Sequence, residues 1–256
     1  MSTTPLIKPL ADQSVLILGG TSGIGLECAR QFKENGSRVM IVGRNQARGD
    51  AAADALGASF AATDCGDIEA IEALMTDVTE RHGSIDTLVV SLGGNRLPEL
   101  LFKQSMADVR DSLVQDQAPF IYAGRAVLPV MMAQNGGSIV NIASDAGKVA
   151  TPGEAVIGAN MAAIIQFTRG LAIEAKRNGI RANTITPSLV EGTPLTERLM
   201  EDGKFSAKLF AKARPLAHLG ATYPQDLAAL AVFLASPAAA KITGQAISVN
   251  GGISAA

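Results

Sequence analysis

Seven residues, Gly19-Gly20-Thr21-Ser22-Gly23-Ile24-Gly25, lie between an apolar run at 15–18 and an amphipathic segment at 24–35. A strand, a tight turn and a helix in that order can hold a pyrophosphate. Gly20 can take positive φ, Gly23 lets the backbone approach the phosphates, and Gly25 lets helix and strand pack closely. The first turn of the helix then offers free N–H groups and a partial positive charge. Gly19, Thr21, Ser22, Gly23, Ile24 and Gly25 are therefore candidate nucleotide-binding residues. The second apolar run, 38–42, ends in Gly43-Arg44, where a free ribose 2′-hydroxyl would call for a carboxylate. A guanidinium suits a 2′-phosphate instead, which favours NADP(H) over NAD(H). Asp64, after the third run, can accept from an adenine amino group or serve a turn. Gly93 and Gly94, after the fourth, can let backbone pass under a ribose or form a plain turn.

The elements that must position these groups alternate along the chain. Strand patterns at 38–42, 59–63, 87–91, 137–143, 180–186 and 246–249 follow the first one. Helical patterns lie between them at 47–56, 67–81 with Asp67 as N-cap, 105–134 with a break near Pro119, 155–177, 195–213 and 224–235. Strands alternating with helices predict an α/β fold, a single doubly wound parallel sheet of Rossmann type with about seven strands flanked by helices. No linker or composition break divides residues 1–256, so one domain is expected.

Apolar residues make up 47% of the chain, enough for a large core. With 22 basic and 24 acidic residues nothing calls for nucleic acid or an anionic membrane. No run approaches the roughly 18 apolar residues of a membrane span, and the segment 1–9 lacks a signal-peptide core. Cys28 and Cys65 have no metal-ligand spacing and read as free thiols in a reducing compartment, so the expected location is cytoplasmic. No metal is expected.

Over nearly its whole length the chain resembles the short-chain dehydrogenase/reductase family. The resemblance rests on the glycine turn, Asp64, the segment from Gly137 to Ser144, the segment from Gly179 to Pro187, and the tail from Ile242 to Gly252. It implies a seven-stranded Rossmann-type sheet, a nicotinamide cofactor and a homodimer or homotetramer. It also implies hydride transfer to or from a carbonyl or alcohol carbon. In the family a tyrosine donates the proton, a lysine one helical turn later lowers its pKa, a serine orients the carbonyl and an asparagine supports a water relay. Carried onto this chain, the serine matches Ser144 and the asparagine position falls on Gln115. The tyrosine and lysine positions fall on Ile157 and Met161, which can neither donate protons nor carry charge. Pro187 keeps its place after the sixth strand, and Thr193 stands where a threonine would hold the nicotinamide carboxamide. In the enoyl-reductase branch the tyrosine lies three residues earlier, a position held here by Glu154, which is a candidate catalytic acid or a solvated loop carboxylate. Asp145 and Lys148, on the same loop, are expected to be surface charges.

The segment 190–214 resembles the family's helical substrate lid. With Leu97, Leu100, Leu101, Phe102, Ile157 and Met161 it predicts an apolar pocket and a small apolar substrate. Three functions compete. One is an NADP(H)-dependent reductase of a carbonyl or conjugated double bond that works without the Tyr–Lys pair. The second is a catalytically dead subunit or NADP(H)-binding protein. The third is a redox-neutral isomerase, cyclase or lyase in the same pocket.

Overall fold

Strict alternation of apolar residues makes the central strands two-sided. In β1 (Ser14–Leu18) all five residues are buried. Leu16 and Leu18 enter one core, while Val15 and Ile17 enter the other. The same alternation runs through β2 (Arg38–Gly43), β4 (Thr87–Val90) and β5 (Gly137–Ile142), whose side chains join both cores. With β3 (Ser59–Ala62), β6 (Ile180–Pro187) and β7 (Ala246–Val249) they form one parallel sheet in the order β3-β2-β1-β4-β5-β6-β7. The order reverses between β1 and β4, and a crevice opens outside the carboxyl ends of strands at such a point. The computed structural model describes residues 7–93 and 96–256. The reading of Gly94, and most of that of the segment 1–9, falls outside the described residues.

Helices cover both faces. One core is closed by α3 (Ile68–His82), α5 (Ala118–Ala133) and α6 (Ala155–Ala175), through Leu74, Val78, Phe120, Val127 and Ile164. The other is closed by α1 (Gly23–Glu34), α2 (Gln46–Leu56) and α9 (Pro224–Ala235), through Phe32, Ala53, Leu227 and Leu234. Helix ends follow local chemistry. Asp67 accepts from Ala70 N at 2.8 Å and caps α3 as its position predicts, and Asn45 caps α2 through Arg48 N at 2.9 Å. The break near Pro119 separates α4 (Met106–Gln115) from α5.

Two expectations change. The amphipathic stretch 195–213 is two helices, α7 (Pro194–Leu199) and α8 (Phe205–Ala213). Gly203, at φ +84°, turns the chain between them. Residues 155–178 are also long and apolar enough, by length and composition, to cross a membrane. Their apolar side instead packs against the sheet through Ile164, Ile165, Leu171 and Ala172. Core burial sets stability: Phe120 is 1% exposed and Phe102 is 83% exposed. Phe120→Ala should cost about 3–5 kcal/mol and Phe102→Ala less than about 0.5 kcal/mol, as read from urea unfolding midpoints.

Candidate active site

The glycine turn is held by contacts that no side chain would tolerate. A Cβ on Gly19, whose φ is +79°, would lie 2.1 Å from Ser91 O, and one on Gly25 would lie 2.3 Å from Gly19 O. A Cβ on Gly43 would meet Thr21 Cγ2 at 2.8 Å, so the buried Thr21 fills the space beside β2. The amides of Gly19 and Gly20 both donate to Val42 O, at 2.9 and 3.1 Å. These contacts aim the first turn of α1 into the crevice. Ser22 is its N-cap but makes no side-chain cap bond, and the first turn holds no acidic residue. The bare N–H groups and the helix dipole therefore favour an anion. Ile24 packs against the core below.

The other nucleotide candidates stand around this turn to different degrees. Arg44 is exposed just after β2. Asp64 is exposed, and its Oδ1 accepts from Gly66 N at 3.0 Å in a local turn. Gly93 has φ +120° with nothing near its Cβ position. Pro187 is the last residue of β6 and is buried. Thr193 lies across the crevice from Gly23, whose Cβ position is 3.8 Å from Thr193 Cγ2. The Thr193 hydroxyl is engaged locally: it donates toward Val190 O at 3.1 Å and caps α7 through Thr196 N at 3.1 Å. The residues present fit a phosphorylated dinucleotide, with a glycine cradle, an uncapped helix start and a nearby guanidinium.

Ser144, the next residue but one after β5, is half-buried. Its Oγ accepts from Ala146 N at 3.2 Å, which leaves the hydroxyl hydrogen available as a donor. Its turn lies flat on α6, because a Cβ on Gly147 would meet Ala162 N at 2.7 Å and one on Gly158 would meet Ala146 O at 2.7 Å. This contact sets Ser144 beside the first turns of α6, which carry Ile157 and Met161. Met161 packs onto the core, and Ile157 lines a cavity of about 260 Å³. Glu154 precedes α6 without capping it through its side chain. The Phe205 ring lies over Gly153, which would bring a Cβ there within 2.4 Å of Cε1, and Glu99 N donates to Gly153 O at 2.9 Å. So enclosed, the Glu154 carboxyl rises from its ordinary 4.5 to about 7. Burial is the main cause, and a hydrogen bond with Thr151 opposes it.

Several positions differ from the sequence expectation. Gln115 is exposed at the end of α4. The inward positions of that turn, four residues apart, are Ser112 and Asp116, joined by a 2.6 Å hydrogen bond from Ser112 Oγ to Asp116 Oδ2. Asn160 of α6 donates to Ser112 Oγ at 3.0 Å. The cavity is not apolar throughout. Leu97, Val156 and Ile157 share its wall with Arg96, Glu99 and Lys103, while Leu101 and Phe102 turn outward. Asp145 and Lys148 are buried rather than on the surface. Asp145 accepts from Ser248 Oγ at 3.0 Å, Ser254 Oγ at 2.8 Å and Asn250 Nδ2, and Lys148 Nζ lies 3.6 Å from its Oδ1. Alternating polar residues in the tail from Ser248 to Ser254 are the signal that could have placed Asp145 inside. Cys28 and Cys65 are free and buried, and both thiols are pushed up to about 12 by burial.

Comparison with known proteins agrees with this geometry. Residues 19–254 match the family described as enoyl-(acyl carrier protein) reductase. The 3-oxoacyl-(acyl-carrier-protein) reductase of Chlamydia pneumoniae is 32% identical over 249 residues, covering 95% of this chain and 98% of the relative. The 7alpha-hydroxysteroid dehydrogenase of Bacteroides fragilis is 30% identical, covering 93% of each. A solved structure described as a short-chain dehydrogenase/reductase from Burkholderia xenovorans superposes with a TM-score of 0.85 at 30% identity, covering 94% of this chain and 96% of the other. With the seven-stranded sheet and the glycine turn at its switch point, these matches assign the chain to the short-chain dehydrogenase/reductase family of oxidoreductases.

Proposed function

We propose that this chain is an NADP(H)-dependent reductase of a carbonyl or conjugated double bond, working without a Tyr–Lys pair. The observation that carries the reading is the uncapped start of α1, framed by glycines that exclude any Cβ and flanked by Arg44. Gly19, Ser22, Gly23 and Ile24 would hold the pyrophosphate by backbone N–H groups, Arg44 the 2′-phosphate, Asp64 and Gly93 the adenosine side, and Pro187 and Thr193 the nicotinamide side. When bound, the cofactor supplies the hydride. Ser144 donates its hydroxyl hydrogen to the substrate oxygen and orients it.

The proton source differs from the family pattern. Ile157 and Met161 occupy the positions of the tyrosine and lysine and supply only shape. Glu154, half-buried and protonated near neutral pH, is the acid of this account, and Phe205 and the Glu99 segment pack on its neighbour Gly153. Gln115, exposed, is a candidate only through its amide at the α4 end, and Asp116 is better turned for a water relay. Helices α7 and α8 act as the lid, their cluster of Leu199, Phe210 and Leu209 resting on Leu97. The substrate is small, with an apolar body against Leu97 and Ile157 and a polar end toward Arg96 or Lys103. The two named relatives are a 3-oxoacyl-(acyl-carrier-protein) reductase and a 7alpha-hydroxysteroid dehydrogenase, names that fit a substrate with an apolar body. A cytoplasmic homodimer or homotetramer completes the proposal, with the exposed Leu113, Val114 and Ile121 of α4 and α5 suited to self-association. A second reading, a silent NADP(H)-binding subunit, draws support from Met161, which packs onto the core where a cation would stand.

Anaerobic mixing with NADPH and a panel of ketones and enones should bleach the nicotinamide absorbance for at least one class. No loss across the panel would favour the silent subunit. Glu154 makes a second prediction. Its folded-state pKa of about 7 lies above the ordinary 4.5, so the folded chain holds the proton more tightly than the unfolded chain. The stability this contributes is complete below pH 4.5 and is lost as pH rises through about 7. Relative to Glu154→Gln, the parent should lose on the order of 3 kcal/mol across that window in denaturant titrations. The reduction rate should fall above pH 7 in the parent only; identical pH profiles for the two proteins would remove Glu154 from the chemistry.

A further inference from the structure

At the amino edge of the sheet, away from the nucleotide crevice, the strands carry a second polar group. The register Thr87, Ser138, Arg181 runs across β4, β5 and β6 at their starts. Most of the polar atoms here pair off. Gln13 Nε2 donates to Lys8 O and Ala235 O at 2.9 and 3.1 Å, and its Oε1 accepts from Thr87 Oγ1 at 2.8 Å. Ser138 Oγ donates to Leu234 O at 3.2 Å. Asp86 accepts from Ser14 N at 2.8 Å and pairs with Lys8 Nζ at 2.7 Å. The Gln134 amide brackets the backbone of Ile85, at 3.0 and 3.1 Å.

Arg181 is the exception. It is 5% exposed, and its Nη1 makes one long bond to Ile242 O at 3.4 Å. Its Nε and Nη2 are fully buried and meet no acceptor among the described residues. Those two nitrogens share one edge of the guanidinium, and their N–H bonds run parallel. That edge is the fork that takes two oxygens of a single carboxylate or phosphate group. Arg181 also lines a cavity of about 50 Å³, together with Lys8, Gln13, Asp86, Gln134 and Ser138. One water needs about 10–15 Å³ of such space, so the cavity suits a compact group of a few heavy atoms. Burial lowers the guanidinium to about 10, which leaves it charged at neutral pH. A buried charge with no partner is strongly disfavoured, and an anion on the fork relieves it.

We propose that this cavity binds a small oxyanion, a carboxylate or phosphate group, held side-on by Nε and Nη2 of Arg181. The negative charge of Asp86 is answered by Lys8 and by the Ser14 and Ser84 donors, so it does not cancel the site. The site lies at the edge of the sheet opposite the dinucleotide crevice, so its ligand and the cofactor do not compete.

The test is thermal unfolding at constant ionic strength, with chloride replaced stepwise by inorganic phosphate or by acetate, on the parent and on Arg181→Met. The parent should show a saturable rise in Tm. A rise with phosphate alone identifies a tetrahedral ligand, and a rise with acetate as well identifies any two-oxygen group. Arg181→Met should lose that rise, and in chloride alone it should melt no lower than the parent, because the methionine fills the stem without a buried charge. Phosphate acting at the glycine turn would raise both proteins equally. An equal rise in both, or no rise in the parent with either anion, overturns the proposal. Should Arg181→Met fail to fold, Arg181→Lys keeps the charge without the fork. Its apparent dissociation constant should be about tenfold weaker, and an unchanged constant overturns the proposal equally.

Discussion

The contact on which the rest of the structure depends is the approach of β1, its turn and α1 to within van der Waals distance of one another. Side chains are excluded at Gly19 by Ser91 O and at Gly25 by Gly19 O. Because the backbone closes there, α1 can lie against the sheet with Cys28, Ala29 and Phe32 in the core and pack beside α9. The same closure leaves the start of α1 uncapped and facing the carboxyl ends of β1 and β4. Stability and the proposed phosphate site thus share one set of atoms. A larger residue at either glycine would disturb both.

A second pair of glycines does the same for the reaction edge. Gly147 and Gly158 let the turn after β5 lie on α6, which fixes Ser144 relative to Glu154, Ile157 and Met161. Asp145 ties that turn to the tail after β7 through Ser248, Asn250 and Ser254. This is the frame on which the proposed substrate carbonyl would be oriented. In the proposed mechanism the apolar side chains at 157 and 161 supply no proton, and the carboxyl at 154 takes that part.

Much of this was legible in the sequence. Strand and helix positions followed from apolar periodicity punctuated by glycine, and α9 and β7 matched their predicted spans residue for residue. The glycine turn was legible because its chemistry is local, although the positive φ expected at Gly20 falls on Gly19 and Gly23 instead. What escaped reading depends on distant partners or on small rotations. The pattern at 195–213 is amphipathic throughout, and only the positive φ of Gly203 divides it. Asp145 and Lys148 look like surface charges until the tail some hundred residues later closes over them. Gln115 and Asp116 are neighbours in sequence, but one helical step of rotation sends the first to solvent and the second to Ser112. The pocket looked apolar because Leu101 and Phe102 were assumed to face inward, whereas both face out.

Cofactor choice rests on a single exposed side chain. Arg44 stands exposed where a carboxylate would select a free ribose. Calorimetric titration of the purified chain with NADPH and with NADH tests the account most directly. It predicts one site per chain, with NADPH bound at least about tenfold more tightly than NADH, the difference expected for a charge-assisted phosphate contact. Binding of neither nucleotide, or NADH binding as tightly as NADPH, would contradict it.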